Sequence, residues 1–201
     1  MSYTWVIFDL GGVVVDCEAD ELLHWMSRLL NRSWDEVQAI VYQPQLLGAF
    51  ERGRISPQAY YRQLHQQLEL PWTYEQFVQA WNSILRENRP VSQLVRQLHS
   101  RYRLMALSNT NVLHLEHMTA TMPVFSLFEG WVASCEVGVC KPDPRIYHLA
   151  LQRSGVEPEQ AVYIDDRPEF VKAGCEMGLT TIRCEQPHTL EMALRNAGLV
   201  F

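Results

Sequence analysis

Four groups of residues have the types and spacing that chemistry requires, and each follows a short apolar run. Asp9 closes the run Trp5-Val6-Ile7-Phe8 and is followed by Gly11-Gly12 in FDLGGVVVD. An ionisable side chain directly after four apolar residues is costly to bury, and two glycines let the backbone turn sharply beside it. On its own, an aspartate in this place is more often a turn or cap residue than a nucleophile. Ser108-Asn109-Thr110-Asn111 follow the run Leu104 to Leu107. A hydroxyl and amides just before a helix make an oxyanion or phosphate site, and serve equally well as an N-cap cluster. Lys141, in VCKPDPRIY, stands before another helix start, where a lysine is also a common surface choice. Asp165-Asp166 follow AVYI. Two adjacent carboxylates repel unless a cation sits between them, and oxygen-rich clusters suit Mg²⁺. Asp166 has a second reading as a cap for the helix that starts at Pro168. The order Asp, Ser, Lys, Asp-Asp, each after its own strand, is far less expected by accident than any one member.

The elements that must position these groups alternate between strand and helix. Trp5 to Phe8, Leu104 to Leu107, Trp131 to Ala133, Ala161 to Ile164 and Thr180 to Ile182 are short apolar runs of the kind that form buried parallel strands. Between them, KPDPRIYHLALQRSG reads as a helix with Asp143 as N-cap, Pro144 at its first position and Gly155 as its stop. Ile146, Leu149, Ala150 and Arg153 fall on its successive turns. Pro168 starts another helix that Gly178 ends. Repeated strand–helix–strand order predicts an α/β fold, a doubly wound Rossmann-like parallel sheet covered by helices on both faces.

The stretch from about Cys17 to Arg89 holds no convincing strand. Leu22, Leu23, Met26, Leu29 and Leu30 form an apolar stripe, and further helices are expected over Ser33 to Tyr42, Ser56 to Leu68 and Thr73 to Arg86. Four of the six tryptophans, Trp25, Trp34, Trp72 and Trp81, lie in this stretch, where helical spacing makes them core residues in expectation. The sequence therefore divides into a core of residues 1–16 and 90–201 and an inserted all-helical cap of residues 17–89.

Composition narrows the function. The chain of 201 residues is 47% hydrophobic and carries a formal charge of −6, which argues against nucleic acid as its partner. No apolar run approaches the roughly 20 residues of a membrane helix. The first seven residues contain no Lys or Arg and Asp9 interrupts the apolar stretch, so no signal peptide is expected. The five cysteines include no C-x-x-C pair, which favours buried free thiols, a reducing compartment and a cytoplasmic location. LHLEH places His114 near His117 without the order that puts two imidazoles and a base on one helix face, so no metal site is expected there.

FDLGGVVVD, LSNTN, KPDPRIY and YIDDRPEFVKAG resemble the four motifs of the haloacid dehalogenase-like (HAD) hydrolase superfamily, and the likeness covers essentially the whole chain. Within it the sequence is similar to small sugar-phosphate phosphatases of the α-D-glucose 1-phosphate phosphatase type and to the phosphatase domain of soluble epoxide hydrolases. The resemblance implies that Asp9 is the nucleophile that forms an aspartyl-phosphate. It implies that Ser108 hydrogen-bonds a phosphoryl oxygen with Asn109 helping, and that Lys141 neutralises the charge shared by Asp9 and substrate. Asp165 and Asp166 would hold Mg²⁺ with Asp9 and the carbonyl of Gly11. The implied substrate is a small phosphorylated metabolite, a sugar phosphate such as glucose 1-phosphate.

One position departs from the pattern. Most phosphatases of the superfamily carry an acid–base Asp where this chain has Gly11. Loss of a proton donor costs roughly 10²–10⁴-fold in rate. Sugar 1-phosphates, with their better leaving group, should then be cleaved faster than 6-phosphates, unless a cap residue such as Glu51 or His24 supplies the proton. Two other functions remain open: a 2-haloacid dehalogenase, which attacks carbon without Mg²⁺, and a non-catalytic binder of phosphate ligands.

Overall fold

The computed structural model describes residues 3–201, so Met1 and Ser2 of the expected core segment lie outside it. In chain order, β1 (Trp5–Phe8) is followed by β2 (Val15–Cys17). Then come α1 (Ala19–Leu30), α2 (Trp34–Val41), α3 (Pro44–Glu51), α4 (Pro57–Leu68) and α5 (Tyr74–Asn82), and β3 (Leu85–Glu87) pairs antiparallel with β2. The rest alternates: α6 (Arg89–His99), β4 (Arg103–Ser108), α7 (Val112–Thr121), β5 (Gly130–Ala133), the one-turn α8 (Ser134–Val137) and α9 (Pro144–Ser154). It closes with β6 (Ala161–Asp165), α10 (Pro168–Glu176), β7 (Thr180–Arg183) and α11 (Pro187–Asn196).

The five predicted strands form one sheet in the order β5-β4-β1-β6-β7, every pair parallel. Winding runs outward from β1 through β4 and β5, then returns to β6 and β7 on the other side. The chain reverses direction beside β1, which is where open α/β sheets bind ligands. Both faces are buried because successive side chains alternate. Val6, Phe8, Ala106, Val162 and Ile164 pack on one face, and Trp5, Ile7, Met105, Leu107 and Tyr163 on the other. Burial of each of these large side chains contributes about 1.5–3 kcal/mol. Helix ends follow the predicted chemistry: Asp143 accepts from Arg145 N at 3.0 Å, and Gly155 closes α9 in the left-handed region.

Several expectations need correction. The inserted stretch is not purely helical: Cys17 pairs with Leu85, in a ribbon of three residues per strand, too short to show a period. The helix that starts after Thr73 stops at Asn82 rather than Arg86, because Leu85 and Arg86 belong to that ribbon. Helix α3, with Pro44 in its first turn, was not foreseen. Of the four tryptophans only Trp81 is fully buried. Trp25 is 44% exposed and stacks on Trp72 at 4.7 Å, and Leu29 is exposed at the edge of the α1 stripe. Two of the five cysteines, Cys140 and Cys184, are buried, and all five are free thiols. Leu23, Met26, Tyr60, Phe77 and Trp81 of the insertion share one continuous apolar cluster with Val6, Phe8 and Ile164 of the sheet. Among the described residues, no helix is long and apolar enough to cross a membrane.

Candidate active site

The carboxyl ends of β1, β4 and β6, the three central strands, bring Asp9, Ser108 and Asp165 together. Asp9 N donates to Ile164 O at 2.8 Å, which continues the sheet ladder by one residue and fixes where the carboxyl points. Its Oδ1 accepts from Leu10 N at 2.7 Å and from Lys141 Nζ at 2.9 Å. Among the described residues no group donates to Oδ2. Lys141 is only 3% exposed and also donates to Asp165 Oδ2 at 2.6 Å, so its ammonium is fixed between two carboxylates. A lysine that the sequence alone leaves as a surface choice is thus a buried structural charge.

Asn109 explains how Lys141 is placed. Its Oδ1 accepts from Lys141 N at 2.7 Å and its Nδ2 donates to Lys141 O at 3.0 Å. The amide of Asn109 clamps the lysine backbone. Ser108, 3% exposed, makes only a long 3.5 Å contact with Asn109 O, which leaves its hydroxyl free to donate elsewhere. Asn111 caps α7, accepting from His114 N at 3.1 Å.

Asp165 and Asp166 differ in kind. Asp165 is fully buried and its oxygens are engaged, Oδ2 by Lys141 and the Tyr163 hydroxyl, Oδ1 by Arg167 N at 2.8 Å. Asp166 Oδ1 is buried without a partner among the described residues. Gly12, at φ +80°, makes room for this carboxylate: a Cβ there would lie 2.5 Å from Asp166 Oδ2. Burial pushes the Asp9 carboxyl up to about 7, with Lys141 pulling the other way and Asp165 adding to the rise. Burial, then Asp165, also raises Asp166.

Oxygens of Asp9, Asp165 and Asp166 lie within 4.8 Å of one another. Three carboxylates face one ammonium, so the cluster lacks positive charge. An all-oxygen donor set with one buried, unpaired oxygen fits a hard divalent cation. Asp166 Oδ1 is the oxygen free to hold it, with the Asp9 and Asp165 carboxylates within reach.

Above the cluster lies a cavity of about 180 Å³, lined by Gly11, Ser108 and Asn109 on the sheet side and by Tyr42, Glu51 and Trp81 of the insertion, among others. Glu51 therefore lines the space beside Gly11 and Ser108, and it shares a second opening with Lys141. His24 does not: it is exposed and lies beside Trp34. His114 is held at its Nε2 by Trp81 O at 3.1 Å, and burial lowers it to about 4, so it stands neutral in the wall. Two residues escaped the sequence reading. Tyr163 lies in the apolar run AVYI, and only its period-two relation to Asp165 places both on one face of β6. Ser134, in WVASCEV, carries no local signal; its Oγ accepts from Thr110 N at 2.9 Å and donates to Glu51 O at 2.6 Å.

Residues 3–178 match the haloacid dehalogenase-like hydrolase family. A mouse protein named acyl-CoA dehydrogenase family member 10 is 30% identical over 207 residues, covering 94% of this chain but 18% of that protein, so this chain corresponds to a small part of it. The D-ribitol-5-phosphate phosphatase of Bacteroides thetaiotaomicron is 25% identical, with 90% and 91% of the two chains covered. A HAD family enzyme from the same organism, solved with magnesium and inorganic phosphate, shares the fold with a TM-score of 0.80 at 23% identity, covering 90% and 94%. The L-2-haloacid dehalogenase of Xanthobacter autotrophicus, with chloropropionic acid covalently bound, shares it at 0.68 and 19% identity, covering 99% and 85%.

Proposed function

The chain belongs to the haloacid dehalogenase-like hydrolase family, and on that premise we propose that it is a Mg²⁺-dependent phosphatase acting on small phosphate monoesters, with a sugar phosphate such as glucose 1-phosphate as substrate. The observation that carries this reading is the excess of carboxylate charge around Lys141, with Asp166 Oδ1 buried and unpaired. A hydrolase that attacks carbon has no use for a bare carboxylate beside Asp165, and the dehalogenase reading is not favoured. In a phosphatase, Asp9 and Asp166, with the Gly11 carbonyl and Asp165 alongside, would hold Mg²⁺. The ion supplies charge neutralisation and orients the phosphoryl oxygens.

This chain's residues do the rest. Asp9 Oδ2 attacks phosphorus, since Oδ1 is held by Lys141 and Leu10 N. Ser108 donates its hydroxyl to a phosphoryl oxygen. Lys141, placed by Asn109 and Asp165, offsets negative charge on Asp9 as the aspartyl-phosphate forms. Water then attacks that intermediate, and Asp9 is regenerated. The cavity of about 180 Å³ suits a small sugar or polyol. Five free thiols favour a reducing, cytoplasmic setting.

The test is phosphate release from a panel of monoesters, including glucose 1-phosphate and glucose 6-phosphate, with Mg²⁺ and with chelator. Mg²⁺-dependent release supports the proposal. Halide release from 2-haloacids without phosphatase activity, or full phosphatase activity in chelator, would overturn it.

A further inference from the structure

We propose that Glu51 of the helical insertion replaces the acid missing at Gly11, passing a proton to the leaving-group oxygen and later taking one from water; the proposal rests on the phosphatase reading above. The end of α3 is anchored to the sheet side of the site at two points. Ser134 Oγ donates to Glu51 O at 2.6 Å, and the same oxygen accepts from Thr110 N at 2.9 Å in the loop that follows Ser108. Gly53, at φ +63°, lies so close to the core that a Cβ would fall 2.1 Å from Cys135 O. With its backbone fixed there, Glu51 lines the cavity above Gly11 and Ser108 and borders the adjoining opening beside Lys141. Among the described residues its carboxyl has no hydrogen bond or ion pair, so nothing in the protein competes for its proton.

The other polar groups of the wall are less suited. His114 is tied to Trp81 O, and burial raises the Tyr42 hydroxyl to about 12, too weak an acid for the task. Burial raises the Glu51 carboxyl too, against the pull of Arg52 and Arg167, which favours the proton-bearing form a donor needs.

The step balances. As the bond between Asp9 Oδ2 and phosphorus forms, the phosphorus–leaving oxygen bond breaks, and the Glu51 proton moves to that oxygen to give a free alcohol. In the second step the Glu51 carboxylate takes a proton from water as its oxygen attacks phosphorus. The Asp9–phosphorus bond breaks, inorganic phosphate leaves, and Glu51 is again a carboxylic acid.

The experiment measures kcat/KM, which reports the first step alone, with Mg²⁺ on p-nitrophenyl phosphate and phenyl phosphate, which differ little in shape and strongly in leaving group. Glu51→Gln should lose more with the poorer leaving group, so the ratio of the two kcat/KM values widens by about tenfold or more. In the double variant Gly11→Asp/Glu51→Gln the ratio should narrow again, because a side chain at Gly11 would meet only Cys17 Sγ, at an ordinary 3.5 Å. An unchanged ratio, whether both substrates lose equally or neither does, would overturn the proposal. Wild-type protein that releases no nitrophenol with Mg²⁺ would overturn the phosphatase reading itself, and this proposal with it.

Discussion

At the scale of single residues, the site is a problem of charge. Among the described residues Lys141 carries the only ammonium beside Asp9 and Asp165, and its side chain is fully buried. Lys141→Met should cost about 3–5 kcal/mol at neutral pH, because it leaves buried carboxylates without their partner. Urea unfolding checks this, and the loss should shrink as pH falls below about 7, where Asp9 takes up its proton. Asp9 gives a second prediction. Its folded value of about 7 lies above the usual 3.8, so the unfolded chain releases this proton first as pH rises. The metal-free protein therefore loses stability from this group across that interval. Mg²⁺ competes with protons for the same oxygens, so its rise in Tm should be larger at pH about 8 than at about 5. An equal rise at both would count against the metal resting on Asp9. The sequence revealed which residue types stand at which strand ends. It did not reveal that Lys141 is buried or that Asn109 clamps it, since both depend on loops from different strands meeting.

At the scale of elements, glycines mark where the backbone comes close to something. Gly53→Ala should lower both stability and turnover, because the added carbon meets Cys135 O and pushes the end of α3 off the core. Gly155→Ala is the matched control: it too has a left-handed φ, of 68°, but opens on free space, so it should cost only about 1–2 kcal/mol and leave kcat intact. Equal effects on kcat would mean that the position of α3 does not matter for turnover. The strands, the caps of α9 and Pro168 at the start of α10 were legible because apolar runs and cap residues act locally, whereas Asp166 does not cap α10. The ribbon of β2 and β3 was not, since three residues carry no period and their partners are about seventy apart in sequence.

At the scale of the whole molecule, the doubly wound sheet explains why residues from positions 9 to 166 converge, and the shared apolar cluster explains how the insertion stays over them. In the proposed function this assembly transfers phosphate through Asp9. The most direct measurement is an acid quench during turnover of a radiolabelled phosphate monoester with Mg²⁺, followed by identification of the labelled peptide. The predicted result is label on the peptide that contains Asp9, removable by hydroxylamine, absent with chelator and absent in Asp9→Asn. Label on another residue, or turnover with no labelled protein at any quench time, would contradict the account.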